Sequence, residues 1–169
     1  MAPIPLGTDH LVAAKLSSIV GQRTGVPVLP TVPVGVSEHH RHFSGTLWVP
    51  STVLGEYVKA IILSAASHGA KKVVIVNNIF AVHLMAFPPD LLNSPGHGDA
   101  AETSVNLYFH KNLVKMEQAR TTKVEQYLGP LKLKSYRELG MTQFPWDAID
   151  LTDTGTFESP GQIMELSRS

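Results

Sequence analysis

Lys71-Lys72-Val73-Val74-Ile75-Val76-Asn77-Asn78 is the stretch that decides the expected fold. The β-branched run Val73 to Val76 leaves no polar face for solvent. A strand of that kind belongs between two covering layers in a parallel sheet. Just upstream, Val53, Leu54, Tyr57, Val58, Ile61, Ile62 and Ala65 recur at helical spacing, with Ser51 placed to cap the start and His68-Gly69 to end it. Helix, short turn and buried strand form the αβ half of a βαβ unit, so the expected class is α/β. Ligands in open sheets of this class lie beyond the carboxyl ends of the strands. Asn77 and Asn78 therefore fall on the expected rim of a site.

Outward from this unit the pattern is mixed. Thr8 or Asp9 is expected to cap a first helix, along which Leu11, Val12, Leu16, Ile19 and Val20 recur, with Gly21 and Gly25 around its stop. Val26-Pro27-Val28-Leu29 reads as a short strand, kept from a central position by Pro27 and Pro30. Residues 30–50 form a long loop rich in Pro, Gly and His, in which Phe43 and Trp48 are expected to act as anchors. Residues 79–95 mix apolar groups with prolines, the first half compatible with a short helix. Gly96-His97-Gly98-Asp99-Ala100-Ala101-Glu102-Thr103-Ser104 then sets a histidine, two carboxylates and two hydroxyls at a loop-to-helix junction. Two readings stay open there. The acids and hydroxyls are helix caps, or they are functional groups held by the helix and open to a cleft. The helix is expected to run to Tyr108 or His110, with another turn or two from Leu113 to Ala119. From Thr121 onward the pattern weakens, and 144–147 and 153–157 read as a tail packed over the surface. No repeat or second domain is evident, so residues 1–169 are expected to form one domain.

Composition narrows the function classes. The 169 residues suffice for a real core, and 14 basic residues balance 14 acidic ones. No basic stripe points to nucleic acid, and no apolar run is long enough for a bilayer. Cysteine is absent, so any metal would need His and carboxylate ligands. The N-terminus has no signal-peptide pattern, and a cytoplasmic location is expected.

Three pieces then line up in order: Leu6-Gly7-Thr8-Asp9 before the first helix; Gly35-Val36-Ser37 with Phe43-Ser44-Gly45-Thr46 in the long loop; and His97-x-x-x-x-Glu102-Thr103-Ser104 at the later helix. With the strand-plus-Asn at 73–77, and Trp146-Asp147 and Thr154-Gly155 near the C-terminus, they resemble the creatininase family. That family includes creatinine amidohydrolase and the related formamide hydrolases of archaeal flavin and deazaflavin biosynthesis. The resemblance implies a three-layer α/β/α fold with a mostly parallel central sheet, assembly as a homo-oligomer, and a site with two divalent metals (zinc, manganese or iron). A metal lowers the pKa of bound water and polarises the carbonyl of a non-peptide amide. Carried over, Asp9 and Glu102 match metal ligands, His97 matches a residue that shuttles a proton to or from the substrate nitrogen, and Ser37 matches a substrate contact. His40 and Asn77 are expected to join Ser37 at the substrate.

The chain departs from the family in three places. Only eight residues precede Asp9, and none supplies the Glu-x-His ligand pair found upstream of it in the family. Ile79-Phe80 stands where the family has His-Gly. Residues 83–96 are too few for the helix and strand expected there. The expected domain is thus a creatininase-like one, truncated relative to the family. Two functions follow from the resemblance: a metal-dependent amidohydrolase acting on a cyclic amide or formamide, or a catalytically inactive remnant that has lost its metal and serves as a subunit or binding module. A chain that folds only with a partner is a third expectation, because a missing edge strand exposes apolar surface.

Overall fold

The computed structural model describes residues 3–77 and 98–120 in full, and the backbone of 126–128 and 131–133. Three α-helices dominate the described residues: α1 (Thr8–Thr24), α2 (Ser51–Ser67) and α3 (Ala100–His110). Short 3-10 turns lie at Glu38–His40, Lys111–Leu113 and Met116–Gln118. Strands β1 (Gln126–Leu128) and β2 (Leu131–Leu133) form an antiparallel ladder, with Gln126 opposite Leu133 and Leu128 opposite Leu131.

This corrects the expected three-layer α/β/α fold with a mostly parallel sheet. Among the described residues the only sheet is the two-stranded antiparallel one. Residues 73–76 are extended but lie outside any ladder, and Val74 and Ile75 are 85% and 64% exposed. The 26–29 run is likewise outside a ladder, with Val26 and Leu29 exposed. The physical reason is that β-branched residues favour a pleated, half-buried surface without creating one. A strand needs a neighbour for its N–H and C=O groups, and none faces these runs among the described residues. The αβ unit read around residue 70 therefore keeps its helix and loses its sheet.

Helix ends follow local chemistry only in part. α1 stops at Gly25, whose left-handed backbone (φ 71°) lets its N–H reach the carbonyl of Gly21. α2 ends at His68 and Gly69, as expected, with Gly69 at φ 92°. The N-termini differ from expectation. Gly7 is the N-cap of α1 and Pro50 that of α2, neither with a side-chain cap bond. Thr8 instead turns back, its Oγ1 donating to the carbonyl of Pro5 at 2.6 Å. On α2, Leu54, Val58, Ile61, Ile62 and Ala65 are half-buried while Val53 and Tyr57 are exposed, so the apolar stripe is only partly covered.

The core sits where α1 meets α3. Val12 packs with Ala101 and Val105, and Phe109 covers the edge of the cluster. Two polar ties reinforce the contact across the chain. The Lys115 N–H donates to the carbonyl of Pro3 at 2.8 Å, and His110 Nε2 lies 3.3 Å from the carbonyl of Leu11. The long loop joins the same end of the molecule, with His10 Nδ1 3.4 Å from the carbonyl of Val32. Gly45 sits beside Leu6: a Cβ at Gly45 would fall 2.6 Å from Leu6 Cδ1, and its φ of 92° already favours glycine. Among the described residues no helix is long and apolar enough to cross a membrane.

Val12 is 1% exposed and central to the cluster. Val12→Ala removes two buried methyl groups and is expected to cost about 2 kcal/mol of stability in urea denaturation. A loss below about 0.5 kcal/mol, the usual range for surface substitutions, would show that α1 does not pack on α3 in this way.

Candidate active site at the start of the third helix

The N-terminal turn of α3 is built by a reciprocal cap. Asp99 is the N-cap, and its Oδ1 accepts from the N–H of Glu102 at 2.9 Å. Glu102 reaches back in turn, its Oε2 accepting from the N–H of Gly98 at 2.8 Å. An acid at the N-cap with a glutamate three residues on is the chemistry of a capping box, here extended by one residue to Gly98. Gly98 is buried with φ 69°, a conformation glycine adopts without strain, and this aims its N–H at the carboxylate. The capping reading of the sequence is therefore correct for Asp99 and Glu102.

Capping does not exhaust the role of Glu102. The residue as a whole is half-buried, but its carboxyl end is withdrawn from water. Burial pushes its pKa up to about 8, against an opposing pull from the Gly98 N–H. The negative charges of Asp99 and Asp9 push it further in the same direction. Asp9 is in the first turn of α1, exposed, and near enough for its charge to act on Glu102. The packing of α1 on α3 thus brings together two acids 93 positions apart in the sequence.

The other expected site residues are less tightly gathered. Ser37 is half-buried and precedes the Glu38–His40 turn, where its carbonyl accepts from the N–H of His40. The His40 ring is half-buried and lies 4.3 Å from the His39 ring and 6.3 Å from that of Phe43, centroid to centroid. Phe43 thus anchors the loop from within, while Trp48 remains 39% exposed. Gly45 and His10 hold this loop against the start of α1, the end that carries Asp9. Asn77 is exposed at the end of the extended 73–76 run. His97 lies outside the described residues, as do Asn78, Ile79 and the tail motifs at 144–157.

Two residues of the site escaped the sequence reading. One is Gly98, whose signal was a glycine directly before an acidic N-cap. The other is Asn106, fully buried one turn after Glu102, with Nδ2 donating to the Glu102 carbonyl at 2.8 Å. Its signal was a polar residue between Val105 and Leu107 in an otherwise apolar pattern.

The donors described here do not make up the set that a metal pair needs. Among the described residues no three His, Asp or Glu side chains gather where a metal ion could sit. Asp9 and Glu102 are two carboxylates, and one oxygen of Glu102 already accepts from a backbone N–H. A pair of metals requires a bridging carboxylate and several further N or O ligands.

The raised pKa fixes a pH dependence of stability. An ordinary glutamate titrates near 4.5, whereas folded Glu102 titrates at about 8. Between these values the folded protein holds a proton that the unfolded chain has released. The contribution is full below pH 4.5, declines as pH rises towards 8, and is gone above it. Glu102→Gln cannot titrate, so its stability is expected to change less over that window in denaturation curves. Identical pH profiles for the two proteins would contradict the burial of this carboxyl.

Comparison with known proteins adds one finding. Neither the curated proteins nor the solved structures give a match. Residues 3–83 match the family model described as creatininase, creatinine amidohydrolase. That segment contains Asp9, Ser37, His40 and Asn77 and ends before Glu102. The creatininase resemblance therefore holds over residues 3–83 of this chain.

Proposed function

We propose that the chain hydrolyses a non-peptide C–N bond of a small molecule, a cyclic amide or a formamide. The observation that carries this reading is the creatininase match over residues 3–83, which holds Asp9, joined through the packing of α1 on α3 to the turn that bears the buried carboxyl of Glu102. Two acids in unlike surroundings can divide general acid and general base between them. Glu102 keeps its proton up to about pH 8 and so has one to give near neutrality. Asp9 is exposed and meets water directly.

In the proposed reaction the Asp9 carboxylate takes a proton from water as its oxygen attacks the amide carbon. The C–N bond breaks as Glu102 passes its proton to the leaving nitrogen. A carboxylic acid and an amine result, with the two protein groups exchanged in protonation state and reset through solvent. Ser37, His40 and Asn77 are assigned to substrate contact, and His97 to relaying protons near the nitrogen. The support for Ser37 and His40 is the seating of their loop against the Leu6–Asp9 turn. Assembly as a homo-oligomer is part of the same reading, because exposed apolar side chains such as Leu63, Val74 and Ile75 favour a covered surface.

Asp9→Asn and Glu102→Gln are each expected to lower kcat/KM for amide hydrolysis by about 10²-fold or more, the usual range for a lost acid or base. The wild-type rate should fall as pH rises through about 8, where Glu102 loses the proton it must donate. Assays on creatinine, hydantoin and N-methylformamide check both expectations. A wild-type protein that hydrolyses none of them, or variants at full rate, would contradict the assignment.

A further inference from the structure

We propose that Asn106 is a positioning residue for Glu102, kept at that place at a cost to stability. The proposal rests on the hydrolytic reading of Glu102. Three polar atoms of Glu102 are held by neighbours on the same turn or the next. Its N–H donates to Asp99 Oδ1 at 2.9 Å, its Oε2 accepts from the Gly98 N–H at 2.8 Å, and its carbonyl accepts from Asn106 Nδ2 at 2.8 Å. The first two bonds are ordinary capping. The third is additional, because a helix already directs its own backbone N–H groups at such carbonyls.

The third bond is made by a side chain that suits its surroundings poorly. Asn106 is 0% exposed, and its Oδ1 is buried without a hydrogen-bond partner. A buried acceptor left unsatisfied gives up its hydration and gains nothing in return. Leucine has the same branch at Cγ without the polar atoms, and Asn106 lies between Val105 and Leu107 in the sequence. Stability alone would therefore favour leucine. What asparagine supplies and leucine cannot is this added bond on the Glu102 carbonyl, which tightens the turn from which the Glu102 side chain projects. Residues that lower stability while fixing a reactive group are an expected form of the trade between stability and activity.

The test compares the full chain with Asn106→Leu by thermal unfolding and by steady-state hydrolysis of creatinine, hydantoin and N-methylformamide. The expected result is a Tm raised by roughly 2–4 °C together with a kcat lowered about tenfold or more, KM staying within about twofold. A purely structural asparagine would show no such opposition of sign. A lowered Tm with unchanged kcat would overturn the proposal, as would a fall in Tm and kcat together. Asn106→Ala, which introduces no added bulk, should also lower kcat at constant KM, and full kcat in the alanine variant would equally overturn it. A wild-type protein active on these amides, with variants of unchanged kcat, rejects the role of Asn106 and leaves the hydrolytic reading standing. A wild-type protein inactive on all of them rejects both.

Discussion

The contact of Val12 on α1 with Ala101 and Val105 on α3 is the interaction on which the described structure depends. It closes a loop of about ninety residues, so its apolar burial must offset a closure cost that grows only slowly with length. Polar ties at both margins, from Lys115 to Pro3 and from His110 to Leu11, set the two helices in register. These ties set the start of α1 beside the end of α3, while Val12 reaches Ala101 in the first turn of α3. Their first turns carry the acids Asp9 and Glu102, and the site is a consequence of this packing. Burial of apolar side chains places the carboxyls, and the same burial removes water from one of them.

A single residue thus does two jobs. Glu102 completes the cap of α3 through Gly98 and Asp99, and among the described residues it is also the acid whose environment is most altered. These roles pull in opposite directions. The Gly98 N–H favours the charged form, while burial and two neighbouring acids favour the neutral form more strongly. The balance leaves a protonated carboxyl near neutrality, which suits a general acid.

Much of the local structure was legible in the sequence. The spacing of Val12, Leu16 and Ile19, and of Leu54, Val58 and Ile61, marks two helices whose ends at Gly25 and Gly69 follow from left-handed glycine conformations. The stretch from Asp99 to Glu102 signals the cap of the third. Strand pairing was not legible, because a β-branched run such as 73–76 states a preference for burial without naming a neighbour. A continuous apolar run at 73–76 implies covering layers on both sides. The structure instead leaves Val74 and Ile75 exposed and outside a ladder. The N-caps of α1 and α2 are Gly7 and Pro50, which precede the Thr8 or Asp9 and the Ser51 that the sequence suggests. At the site, motif resemblance singles out Asp9 and Glu102, and the cap at Asp99 to Glu102 is the part that the structure describes. Asn106 shows in the sequence only as a polar residue between Val105 and Leu107, and its bond to a backbone carbonyl and its unsatisfied oxygen are visible in the structure alone.

The central claim is that α1 delivers Asp9 to a buried, protonated Glu102. Carbon-13 NMR titration of the Glu102 carboxyl, in the wild type and in Asp9→Asn, tests it most directly. The account predicts that wild-type Glu102 titrates near pH 8 and that the variant titrates lower, because one repelling charge has gone. A Glu102 that titrates near 4.5, and does so equally in both proteins, would contradict it.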